Sequence, residues 1–173
     1  MLQKKKSILV FYFETLTQIL GHPREFFMKL PQEADWKRSV GFLFVSSLFF
    51  TGASLISNMP PNPLFLGSVF FINAMGMTFI TAGTAYMIMI MSLGKRVTFT
   101  RFLSVYAFSS GVTLLASWLP FFVWLTEPWK WWLIGTGMTK SFDLRWGQAV
   151  LIIGVSLLSV MFFFWSLLPI ISS

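Results

Sequence analysis

From Leu64 to Leu93 the chain runs for 30 residues without a charged side chain. About 20 apolar residues carry a helix across the hydrocarbon core of a bilayer. Within lipid a backbone must satisfy its own polar groups, so a run of this kind is read as a membrane-spanning helix. The fold class expected is an all-α integral membrane protein. At about 1.5 Å per residue the run measures roughly 45 Å, so it must tilt, bend or protrude.

Other uncharged runs follow the same pattern. They are Ser39–Ser57, Phe102–Thr126 with Pro120 near its far end, and Trp146–Pro169. The break Asn58–Pro63 holds three prolines, which cannot continue a helix. Charged residues make up only 11% of the chain, against about 25% in soluble domains, and the charge-rich stretch is residues 1–38. The organisation expected is therefore an interfacial segment, 1–38, followed by a transmembrane domain, 39–173. With no cysteine, disulfides, thiolate metal sites and a cysteine nucleophile are excluded.

A further segment, Trp131–Thr139, is uncharged for nine residues only. The basic residues bear on whether it crosses. If it does, and the N-terminus is cytoplasmic, then Lys4, Lys5, Lys6, Arg24, Lys29, Lys37, Arg38, Lys95, Arg96, Arg101, Lys140 and Arg145 share the inner side and only Lys130 lies outside. If it does not, Lys140 and Arg145 move out. Positive charge is retained on the cytoplasmic side, so five crossings with a short fourth helix are favoured, leaving the C-terminus outside. The net charge of +7 is read in the same way, as membrane orientation rather than nucleic-acid binding. Trp36 is expected at the inner interface, and Trp129, Trp131 and Trp132 at the outer one.

Near the N-terminus, Leu9, Tyr12, Phe13, Leu16, Ile19 and Leu20 recur at helical spacing, with Glu14, Thr17 and Gln18 off that face. Gly21 and Pro23 close this helix, and a second short one carries Phe26, Phe27 and Leu30. The expected arrangement is an amphipathic pair lying in the cytoplasmic interface; packing on the cytoplasmic end of the bundle is the other reading.

Candidate chemistry is sparse. The single His22 has no second histidine or cysteine to share a metal, and none of the six acids lies within a long run. No catalytic residue, cofactor or metal is expected, and the chain reads as a non-enzyme. Glu127 and Lys130 are spaced to pair near the outer interface. Small residues Ala74, Thr78 and Ala82, with Ala107 and Gly111, form stripes suited to close helix packing, and Asn73 is expected to hydrogen-bond to a neighbouring helix. Lys95, Arg96 and Arg101 are the candidates for docking anionic lipid headgroups or an acidic partner. Membrane lipids and a membrane-protein partner or second copy of the chain are the expected partners.

Several weak motifs occur in a recognisable order. Ile19-Leu-Gly-His-Pro-Arg-Glu-Phe26 precedes the first span, and Gly94-Lys-Arg-Val-Thr-Phe-Thr-Arg101 separates two spans. Then come Val105-Tyr-Ala-Phe108-Ser-Ser, Leu119-Pro120, an aromatic segment ending in Gly135 and Gly137, a basic loop and Gln148-Ala149. Over roughly Leu16–Pro169 this order resembles the bacterial branch of the YIP family, named for Ypt/Rab-interacting proteins. The resemblance implies five spans, a cytoplasmic N-terminus and a short fourth helix. Where that family often has a tyrosine followed by a proline in the third span, this chain has Phe108. The function expected is a scaffold or accessory subunit of an inner-membrane complex, or a lipid-organising factor. The alternative is a transport or lipid-translocation element whose polar path, formed in an oligomer, would use Asn73, Thr78, Thr81, Thr84, Ser109 and Ser110.

Overall fold

The computed structural model describes residues 8–30, 36–94 and 97–171. Among them the chain order is α1 (Ile8–Gly21), α2 (Pro23–Met28), α3 (Trp36–Asn58), α4 (Pro63–Leu93), α5 (Phe99–Ser117), a 3-10 turn (Pro120–Phe122), α6 (Val123–Phe142) and α7 (Trp146–Ile171). Four of these helices, α3, α4, α5 and α7, are long and apolar enough to cross a membrane.

The boundaries have local causes. Pro63 opens α4, where its missing N–H costs nothing, and Gly94 closes it in the left-handed conformation with its N–H on the Ile90 carbonyl at 2.9 Å. The uncharged run 102–126 is not one helix. Leu119 is extended (φ −87°, ψ 119°), as a residue before proline tends to be, and Pro120 starts a tight turn. Val123–Thr126 therefore belongs to α6, which at 20 residues is about 30 Å long rather than a nine-residue stub. Asp143 ends α6 at φ 50°, and Gln148 caps α7 by accepting the Arg145 N–H at 3.0 Å.

α5 is the centre of the bundle. Every residue from Phe102 to Thr113 is buried. It is also the least apolar of the four spans, with mean hydropathy 1.2, against 2.3 for α7 and 1.7 for α4, whose windows are far less enclosed. A helix sheathed by protein can carry hydroxyls that lipid-facing helices cannot. Hydrogen bonds fix the directions of its neighbours. Ser39 and Ser104 join the first turns of α3 and α5 at 2.9 Å. Ser117 and Thr126 join the end of α5 to the start of α6 at 3.1 Å, and the Arg101 guanidinium lies 5.5 Å from the Phe142 ring centre at the other end. α6 thus runs antiparallel beside α5 over its whole length.

α1 and α2 pack against the end of the bundle that carries Arg101 and Phe142. The Tyr12 ring stacks on Phe42 at 4.7 Å and its hydroxyl meets the Ser46 hydroxyl at 2.9 Å. Burial raises the Tyr12 pKa, and the Ser46 hydrogen bond opposes that shift only in part, so the phenol stays neutral. Phe27 is fully buried, and its carbonyl accepts the Ser141 hydroxyl at 2.8 Å. The buried stripe of α1 is Tyr12, Thr15 and Ile19, while Phe13 and Leu20, placed by spacing on the same face, are exposed.

Close approach at two glycines sets the spacing around α5. A Cβ at Gly111 would sit 2.7 Å from the Phe42 ring, and one at Gly137 would strike Val105 and press on Phe27. Gly111→Ala and Gly137→Ala should each destabilise the purified protein, overpacking costing about 1–3 kcal/mol. Gly83→Ala, where the added methyl meets nothing within 4 Å, should leave the melting temperature in detergent nearly unchanged.

Candidate functional site

Hydroxyls recur on α5 at Ser110, Thr113 and Ser117, a three-then-four spacing that puts them on one face. Asn73, Thr78 and Thr81 on α4 turn toward the same space. Together with α6 and α7 these faces bound a half-open cleft of about 790 Å³. Its remaining wall is apolar, with Leu114, Leu157, Met161 and Phe164 among the lining residues. The cleft extends from Ser117, Glu127 and Lys130 to Thr81, Ser110 and Ile134. From Ser117 to Ser110 along α5 this is about 10 Å of depth at 1.5 Å per residue.

The mouth carries the ionisable groups of the lining. Lys130 Nζ donates to Glu127 Oε1 at 2.6 Å, and the ammonium lies 4.9 Å from the Trp131 ring centre. The lysine side chain is 21% exposed and the glutamate 46%. The pair was expected from its spacing; it forms, and both residues also line the cleft. That is possible because α6 begins at Val123, which brings residues 127 and 130 into the helix beside α5.

Most cleft hydroxyls spend their proton on their own helix. Thr78 donates to the Ala74 carbonyl at 3.0 Å, Thr81 to Met77 at 2.7 Å, Thr113 to Ser110 at 3.0 Å and Ser117 to Thr113 at 2.8 Å. Such back-bonding satisfies the donor and leaves an oxygen lone pair facing outward. Ser110 is different: it is 7% exposed and lines the cleft, and among the described residues its hydroxyl makes no hydrogen bond.

The residues singled out by sequence fall into three groups. Asn73, Ala74 and Thr78 line the cleft; Asn73 is exposed there, a different position from the expected helix-to-helix hydrogen bond. Ala82, Ala107 and Gly111 are buried between helices. Lys95 and Arg96 lie outside the described residues. Arg101 is half-buried, with Nη2 3.4 Å from the Leu30 carbonyl, so it joins α5 to the end of the N-terminal segment as well as to α6. Of the polar residues considered for a transport path, Asn73, Thr78, Thr81 and Ser110 line the cleft, whereas Thr84 and Ser109 do not. Sequence reasoning missed Thr113, Ser117 and the Glu127–Lys130 pair as lining residues. The spacing of Ser110, Thr113 and Ser117 was the available signal. Among the described residues, no group of three or more His, Cys, Asp or Glu comes together as a metal site.

The Yip1 domain profile matches residues 17–168, which takes in the last turn of α1, α2 to α6 entirely and most of α7. The chain belongs to the Yip1-domain family. No match was found among curated proteins or solved structures. The cleft therefore lies wholly within the Yip1 domain, since its lining residues run from Phe50 to Trp165.

Because the chain has no cysteine, single cysteines can report hydration of this space. Asn73→Cys and Ser117→Cys should react with a small water-soluble thiol reagent in detergent micelles, while Ala82→Cys and Ser109→Cys should stay unlabelled. Equal labelling of all four would mean that the cleft is not the wet part of the bundle.

Proposed function

We propose that this Yip1-domain protein is a non-enzymatic, five-span component of a bacterial inner membrane that organises lipid within a membrane assembly. The observation that carries this reading is the half-open cleft, which pairs a hydroxyl wall with an apolar one. An amphiphile needs both surfaces, a polar one for its head and an apolar one for its chains. A soluble substrate would not need the second.

Five crossings are supported by α6, which lies antiparallel beside α5 and has length enough for an upright passage or one through a thinned bilayer. On this topology Lys140 and Arg145 join Lys95, Arg96 and Arg101 inside, and the cleft mouth at Lys130 opens toward the outer leaflet. The exposed Val10, Phe13 and Leu20 of α1 then meet the cytoplasmic interface while Tyr12 and Ile19 hold the helix to the bundle. The basic cluster at Lys95, Arg96 and Arg101 would attract anionic headgroups at about 1 kcal/mol per charge, or dock a membrane-protein partner in the scaffold role.

Translocation is the second reading. It is favoured by Asn73, Thr78, Thr81 and Ser110 lining one cleft within a single chain, without an oligomer.

Topology and function can be tested separately. A reporter active only outside should work when fused after Ser173 and fail when fused after Arg96; activity of both on one side would remove the odd number of crossings between them. For function, Asn73→Trp should fill the cleft at an exposed position and lower the amount of lipid that co-purifies in mild detergent, with the melting temperature kept. Neutralising Lys95, Arg96 and Arg101 together should leave that lipid in place. The reverse pattern, with loss only in the triple variant, would favour the scaffold role and remove the cleft from the function.

A further inference from the structure

The cleft has a polarity of its own. Glu127 and Lys130 are its ionisable lining residues, so its formal charge is zero. Thr78, Thr81 and Thr113 have committed their O–H groups to backbone carbonyls and present acceptors, while the Ser117 hydroxyl is shared between the Thr113 carbonyl and the Thr126 hydroxyl. The Glu127 carboxylate adds another acceptor, because Lys130 binds one of its oxygens. The donors on the wall are the remaining Lys130 N–H groups, the Asn73 amide, the indole N–H groups of Trp131 and Trp165 and the Ser110 hydroxyl, which is 7% exposed and lines the floor. A ligand matching this wall carries both charges side by side, with N–H donors on its cation for the Glu127 carboxylate and the threonine oxygens.

Resting on the lipid-handling reading, we propose that the cleft binds a zwitterionic glycerophospholipid whose ammonium keeps its N–H bonds, that is, an ethanolamine headgroup. The phosphate takes the free N–H groups of Lys130, and the ammonium bridges the outer oxygen of Glu127 and the hydroxyl acceptors. The acyl chains leave along Leu157, Met161 and Phe164 toward lipid. The volume of about 790 Å³ holds a headgroup and the upper part of its chains and falls within the roughly 300–1,000 Å³ of small-ligand sites.

Two rival headgroups fit less well. An anionic lipid meets a lining with no net charge to attract it. A choline lipid offers no N–H to the Glu127 carboxylate and the threonine oxygens.

The test is native mass spectrometry of the full chain in detergent, titrated with ethanolamine, choline and glycerol phospholipids of identical acyl chains. The ethanolamine lipid should bind about tenfold more tightly than either rival, the factor that one charge-assisted hydrogen bond corresponds to. Glu127→Gln leaves Lys130 alone and should turn the preference toward the anionic glycerol lipid. Lys130→Gln should weaken all three. The charge-exchanged pair Glu127→Lys with Lys130→Glu keeps both charges and should recover part of the ethanolamine preference, which separates recognition from misfolding. Equal binding of the three lipids, or an unchanged preference in Glu127→Gln at an unchanged melting temperature, would overturn the headgroup assignment. If Asn73→Trp still displaces all three lipids in that case, lipid handling stands and only the headgroup inference falls. If Asn73→Trp displaces none, both fall.

Discussion

A hydroxyl in hydrocarbon has no water to bond, so it must use its own helix, a neighbouring helix or an enclosed polar space. α5 carries Ser104, Ser109, Ser110, Thr113 and Ser117, and all but the last are buried. The bundle answers by enclosing it. α3 supplies Ser39 to Ser104, α6 supplies Thr126 to Ser117, and Gly111 and Gly137 let the flanking helices come close enough to make the enclosure dry. The apolar helices α4 and α7 then face outward, as their higher mean hydropathy requires. The face of α5 left incompletely covered, at Ser110, Thr113 and Ser117, is where the cleft forms.

Much of this was legible in the residues. Uncharged runs gave the class and the cores of four spans, and Gly21 with Pro23 and the Asn58–Pro63 break marked helix ends by their backbone chemistry. The weak points share one cause. Sequence runs were divided by charge, but α6 is divided from α5 by Pro120 and tolerates Glu127, Lys130 and Lys140 along its length. Treating the charges as boundaries shortened the helix and left the ion pair outside the list of cleft-lining residues. The covering of the α1 face was left open for another reason: periodicity says which residues share a side, not whether the bundle or the lipid covers it. Tyr12 and Phe13 are neighbours in sequence with similar character, and only the pairing of Tyr12 with Phe42 and Ser46 decides between them.

At the end of the bundle carrying Arg101, the N-terminal segment acts as a packing element. Phe27 fills the space beside Gly137, and Ser141 fixes its carbonyl. Arg101 is held by the Leu30 carbonyl and the Phe142 ring, which ties α2's exit to α5 and α6. A partner or headgroup that drew Arg101 away would loosen these contacts together. Docking at this end and the packing of the N-terminal helices are therefore coupled through one side chain.

The two halves of the bundle differ in a way that bears on the choice between holding a lipid and passing it. The cleft stops at Thr81, Ser110 and Ile134. Beyond it Ala82, Ala85, Met89, Val105 and Met138 are fully buried, and the rings of Tyr86, Phe102 and Phe142 lie 5.5–5.6 Å apart in sequence across α4, α5 and α6. A headgroup crossing this half would have to separate those rings and leave its own charges without partners in a dry core, a cost of several kcal/mol. In the arrangement seen here the lower cost is to keep a headgroup at the mouth, within reach of Glu127 and Lys130. The packed half therefore favours a protein that retains lipid in one leaflet, and any translocation would require a second arrangement in which α5 parts from α4 and α6 beyond Ser110.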